Sequence, residues 1–227
     1  MVVGTVSATV TLGVTPIEVW PADQKLEPRG HPAILSTRFT DTAEYHPRLI
    51  ARVLELEQHK NIRRRYFQGA CGTKVHHVER WGCSEADLLQ ARAKEMYRRA
   101  LNVPEAVVDL SWASIYRAGD YCMAHSHVRS TASIVYCLDP GEEDSDDSVN
   151  GRFCFVDPRL PCCCQDAPEC MTTPFLPGLS TGTMLIFPSQ LVHAVNPYGG
   201  ARPRITLSWN LNSAVLPGSP LPPEAGA

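Results

Sequence analysis

The stretch RITLSWNL, residues 204–211, alternates polar and apolar side chains without a break. Successive side chains of an extended strand point to opposite faces, so Arg204, Thr206, Ser208 and Asn210 share one face, with Ile205, Leu207, Trp209 and Leu211 on the other. The apolar face requires a packed partner. The polar face is either the solvated outside of a sheet or the lining of a polar pocket, and an arginine fork on it suits a carboxylate. The same β-rich texture recurs upstream in short runs separated by turn residues, at 106–117, 131–138, 151–157, 183–187 and 191–195.

Two helices are expected before these runs. Leu49, Ile50, Val53, Leu54 and Leu56 recur at helical spacing between Pro47 and His59. A second helix runs from Ser84 through Leu88, Leu89, Ala93, Met96 and Tyr97 to Leu101, and its opening Ser-Glu-Ala-Asp has the form of a capping box. The first forty or so residues, rich in Pro, Thr and Val, read as short strands joined by turns. Helices first and many strands later predict a mainly β chain with flanking helices, an antiparallel sandwich or barrel with the helices packed outside it. The expected organisation is one structural domain. Residues 1–104 support a barrel core at 105–213, and the Pro-rich tail 214–227 is disordered.

The 227 residues are 44% hydrophobic, with a formal net charge of -3 and a pI near 6.2. No global basic field marks a nucleic-acid binder, and no stretch is apolar for long enough to span a bilayer. A soluble, cytoplasmic protein is expected. There are nine cysteines, an odd number, and four of them crowd at Cys162, Cys163, Cys164 and Cys170, which predicts reduced thiols on a loop. Three adjacent sulfurs cannot easily turn to one metal. The acidic run at 142–147 reads as a solvated connection, and Lys60 with Arg63, Arg64 and Arg65 as a solvated helix end.

His125 and His127 are one residue apart at a strand or strand end, so both rings point to one face in a chelating arrangement. Taken alone, the pair reads equally as two polar residues on a strand edge. His193, in FPSQLVHAVNP, lies 66 residues beyond His127, and Arg204 opens the next strand eleven residues later. His76 and His77 are adjacent and, on a strand, would face opposite ways.

Taken in order, H-x-H at 125–127, SIVYCL at 133–138, GRFCFVDPR at 151–159, GTMLIFPSQLVHAVNP at 182–197 and RITLSWN at 204–210 resemble the 2-oxoglutarate- and iron(II)-dependent oxygenases of bacteria and phages. These belong to the prolyl-hydroxylase-like group. The resemblance covers about residues 105–212 and extends to the early Thr15-Pro16-Ile17 segment. It implies a double-stranded β-helix, a jelly-roll or cupin-like barrel with iron at its open end. It also implies iron(II) on His125, His127 and His193, with 2-oxoglutarate held by Arg204 and Thr206 and assisted by Tyr116 and Tyr136. Ascorbate is the implied reductant. The implied reaction hydroxylates a small molecule or a protein side chain and releases succinate and carbon dioxide.

One position departs from the superfamily pattern. Where most such enzymes place an aspartate or glutamate as second ligand, this chain has His127, so three neutral ligands would leave iron(II) its full double charge. Asp120 is the nearby carboxylate in sequence. Two other readings stay open. Gly119, five residues and then His125-x-His127 match the start of a cupin motif, although the expected glutamate is absent from 130–132. Three histidines also suit a zinc ion in a barrel without turnover.

Overall fold

The alternating stretch forms β12 (Arg204–Asn212), a central strand, because both its faces find cover. The structure, a computed structural model, describes residues 8–59, 72–142, 149–163 and 173–214. Residues 143–147 of the acidic run, the basic run at Lys60 and Arg63 to Arg65, Cys164, Cys170 and the tail from 215 lie outside the described residues.

The remaining strands are β1 (Thr9–Leu12), β2 (Thr15–Glu18), β3 (Glu27–Arg29), β4 (His31–Arg38), β5 (Thr73–His76), β6 (Val107–Tyr116), β7 (Cys122–His125), β8 (Ala132–Asp139), β9 (Phe153–Phe155), β10 (Thr183–Pro188) and β11 (His193–Val195). Seven of them make one sheet in the order β3-β4-β10-β8-β12-β6-β5, and three make a second in the order β7-β11-β9. All pairings are antiparallel, and β1 with β2 forms a separate hairpin. The fold is the double-stranded β-helix, mostly sheet with two helices, and its sheets remain open at their edges. Each β-rich run read from the sequence between 106 and 211 contains a strand. Strand β5 and the pairing of β4 into the large sheet were not foreseen.

The period of two decides what each face does. Ile205, Leu207, Trp209 and Leu211 of β12 join Ile134, Tyr136 and Leu138 of β8 in a core that also takes in Leu49 and Val53 of α1 (His46–His59) and Leu88, Leu89 and Met96 of α2 (Ser84–Leu101). On the opposite face, Val135, Leu185, Phe187 and Ile34 pack with Phe153 and Phe155 of the small sheet. The large sheet is therefore apolar on both sides, but a polar strip is left between the sheets.

The start of α2 differs from expectation. Its N-cap is Cys83, which makes no side-chain cap, and Ser84 is already helical. The backbone carbonyl of Cys83 accepts from the N–H groups of Ala86 and Asp87, so the Ser84–Asp87 box does not form. Glu85 and Asp87 still lie in the first turn, where their charge suits the helix N-terminus.

Candidate metal centre

The histidines reach one point by two routes. His193 pairs directly with His125 across the β11–β7 ladder, and the same pairing continues to Phe155 on β9. His127 lies two residues past the end of β7, where its N–H donates to the carbonyl of Ser189 at 2.8 Å and fixes the chain beside the start of β11. The three rings stand 4.4 to 5.3 Å apart between centroids, and one nitrogen from each falls within 4.8 Å of the others. That spacing suits a single metal ion.

Hydrogen bonds set which nitrogen is offered. Nδ1 of His125 lies 2.8 Å from the carbonyl of Met123, and Nδ1 of His193 lies 2.8 Å from that of Leu191. A carbonyl can only accept, so each Nδ1 carries the proton and each Nε2 is left with a free lone pair. Burial pushes the pKa of all three rings down. His127 falls to about 4, with positive His125 and Lys74 adding to the effect, and His193 falls to about 3. The triad is thus held neutral, the form a metal needs.

A pocket partly open to solvent runs from the triad along the polar face of β12. Arg204, Thr206, Ser208 and Asn210 all line it, so the polar half of the alternating strand is a pocket lining. Arg204 is 4% exposed, and its Nη1 is buried without a hydrogen-bond partner. A buried guanidinium nitrogen left unsatisfied costs free energy unless a ligand completes it. Its carbon lies 5.5 Å from the ring of Tyr116, the residue opposite it on β6. Gly141 and Gly151, both at positive φ, let the chain approach closely here. A Cβ at Gly141 would stand 3.1 Å from Cβ of Arg204, and one at Gly151 would stand 3.3 Å from its Cδ. Both would also collide with Tyr198.

The expected site residues therefore divide. His125, His127, His193, Arg204, Thr206 and Tyr116 line one pocket, whereas Tyr136 does not. Tyr136 follows the opposite phase of β8 and points under the helices, its hydroxyl 2.8 Å from that of Tyr45 and 2.6 Å from Nε2 of His46. Its place as a cosubstrate contact is corrected by the strand period. Asp120 does not join the triad, since its carboxylate accepts from the backbone N–H of Arg117 at 2.7 Å. Lys74, on edge strand β5, was missed. Its Nζ lies 4.9 Å from the ring of Trp112, and both line the pocket. An edge-strand lysine is ordinarily a solvent-facing guard against strand pairing, so the sequence carried no signal. Burial lowers its pKa from the ordinary lysine value.

The described cysteines 83, 122, 137, 154, 162 and 163 form no disulfides, and no described helix is long and apolar enough to cross a membrane.

Fold and site together define a double-stranded β-helix with a histidine cluster able to hold a metal and a buried, unsatisfied arginine beside it. Residues 110–210, a little under half of the chain, match the family described as "Putative 2OG-Fe(II) oxygenase". No curated protein sequence matches this chain. The fold is similar to that of a Pseudomonas putida prolyl-4-hydroxylase, at 14% identity and a TM-score of 0.58, covering 81% of this chain and 94% of that one. The α-ketoglutarate-dependent epimerase SnoN of nogalamycin biosynthesis aligns at 13% identity and a TM-score of 0.62, covering 86% of each. The viral collagen prolyl hydroxylase of Paramecium bursaria Chlorella virus-1, a 2-oxoglutarate complex, aligns at 14% identity and a TM-score of 0.53, covering 80% and 97%.

Proposed function

We propose that this chain hydroxylates its substrate with iron(II) held by His125, His127 and His193 and 2-oxoglutarate held by Arg204 and Thr206. The observation that carries the reading is Arg204, buried with a free Nη1 in the same pocket as the triad. A guanidinium in that state fits the distal carboxylate of a keto diacid, through paired N–H donors. Thr206, two residues along on the same strand face, has a hydroxyl to offer the same carboxylate. Tyr116 walls the arginine on its other side.

When bound, iron(II) and 2-oxoglutarate supply the oxidation of a C–H bond by dioxygen, coupled to release of succinate and carbon dioxide. The chain contributes position and electrostatics. The backbone carbonyls of Met123 and Leu191 keep two imidazoles in the tautomer that offers Nε2, and burial keeps all three rings unprotonated. Phe153 and Phe187 stand 5.5 and 4.9 Å from the His193 ring and exclude water from that side. Three neutral ligands cancel none of the ion's charge, which favours a dianionic cosubstrate more than a site with a carboxylate ligand would. Ascorbate serves as reductant when the ion is oxidised. The substrate is a protein side chain or a small molecule: a Trichoplax adhaerens prolyl hydroxylase of similar fold is in complex with a peptide fragment, and SnoN is an epimerase of nogalamycin biosynthesis.

The test needs no substrate. Metal-free protein given iron(II) and 2-oxoglutarate without oxygen develops the visible charge-transfer band of a chelated keto acid. His193→Ala loses the band, and Arg204→Met requires about thirty- to hundredfold more 2-oxoglutarate to reach it. An iron-loaded wild type without a band sinks the reading in favour of a three-histidine enzyme that does not use 2-oxoglutarate.

A further inference from the structure

Among the described residues the pocket lining contains no carboxylate, yet it carries two cationic side chains, Lys74 and Arg204. They come from the two strands that flank β6, Lys74 pairing with Ser114 and Arg204 with Tyr116, and their side chains meet different rings. Arg204 lies against Tyr116, whereas Lys74 lies against Trp112, four residues away, or about 13 Å along an extended strand. Trp112 in turn faces His127, with ring centroids 6.0 Å apart, so Lys74 sits on the His127 side of the triad. A single 2-oxoglutarate that chelates the metal and reaches Arg204 leaves Lys74 unengaged. The charges give the same answer. Iron(II), Lys74 and Arg204 together bring four positive charges, three neutral imidazoles cancel none, and the cosubstrate dianion cancels two. Among the described residues Lys74 has no carboxylate ion-pair partner; its Nζ lies over the face of Trp112, and the Cys122 thiol shares the pocket with it. A surface guard lysine would keep its charge in water, whereas this one is largely buried and lines the pocket.

Resting on the iron and 2-oxoglutarate reading above, we propose that Lys74 binds an anionic group, carboxylate or phosphate, of the substrate that is oxidised, placing it over Trp112 beside the metal. Lys74 is then a specificity-determining residue, and neutral substrates are disfavoured.

Zinc(II)-loaded protein saturated with 2-oxoglutarate allows a test by calorimetry without turnover, using benzoate, phenyl phosphate and neutral benzamide as probes. At least one anion binds about tenfold or more tightly than benzamide, and the better one identifies the group. Lys74→Met abolishes that preference while 2-oxoglutarate affinity stays within about threefold, and Lys74→Arg restores it. The proposal is overturned if neither anion outbinds benzamide or if Lys74→Met keeps the preference. It is also overturned if Lys74→Met weakens 2-oxoglutarate as Arg204→Met does, since Lys74 would then belong to the cosubstrate. Failure of the underlying reading shows separately and at the first step, as wild type that does not bind 2-oxoglutarate.

Discussion

Arg92 and Arg204 are both buried arginines, one on each side of the large sheet, and they differ in how their charge is met. Arg92, on α2 and fully buried, donates to both carboxylate oxygens of Asp41, to the Tyr45 hydroxyl and to the carbonyls of Val19 and Glu18, and its guanidinium stacks on Phe39. Arg204 keeps a buried nitrogen with no partner. A saturated cation ties elements together, whereas an unsaturated one is held ready for something else.

The contrast is broken most severely at Arg92. Arg92→Met leaves Asp41 and Tyr45 without their donor and should cost about 3 kcal/mol of stability in denaturant unfolding. Arg204→Met in metal-free protein should be neutral or slightly stabilising, because it removes an unsatisfied buried charge. A stability loss at Arg204 comparable to that at Arg92 would show that both arginines serve the fold.

A second expected effect lies in the hydrogen-bond chain that begins at Arg92. Arginine only donates, so Tyr45 accepts from Arg92; the Tyr45 hydroxyl lies 2.8 Å from that of Tyr136, which in turn lies 2.6 Å from Nε2 of His46. Burial is the main reason the pKa of His46 falls to about 4, while burial raises that of Tyr45 to about 12. The unfolded chain takes up a proton on this residue near pH 6.5, and the folded one does so only near 4. Stability is therefore lost as pH falls between those values, by about 2 kcal/mol from this residue. Unfolding of metal-free His46→Gln across that window should show a correspondingly flatter pH dependence. An unchanged slope would remove His46 from the network's energetics.

What could be read beforehand divides along the same line. The alternation in 204–211 gave β12 and its two faces, because a period of two is a local property, whereas grouping H-x-H with the distant His193 and Arg204 came from the family resemblance. Lys74 was not legible. Its side chain enters the pocket only because β5 pairs with β6, placing Lys74 opposite Ser114, and that pairing spans a large sequence separation. Ser84 misled for a simpler reason. A capping motif names the residue types but not the residue at which the helix begins, and here Cys83 took that place.

Tyr136 gives the smallest and sharpest test, since its sequence neighbourhood placed it with the cosubstrate and the strand period placed it with Arg92. On β8 it pairs with Leu207, and both residues lie in the core beneath the helices, while Val135 next to it lines the pocket. Tyr136→Phe removes one hydroxyl from the chain and leaves Tyr45 and His46 without it. The expected cost is about 1 kcal/mol in unfolding, with 2-oxoglutarate affinity within about twofold of wild type. If affinity fell instead while stability held, Tyr136 would have to be counted with Arg204, and the division between the two faces of the sheet would fail at its most exposed point.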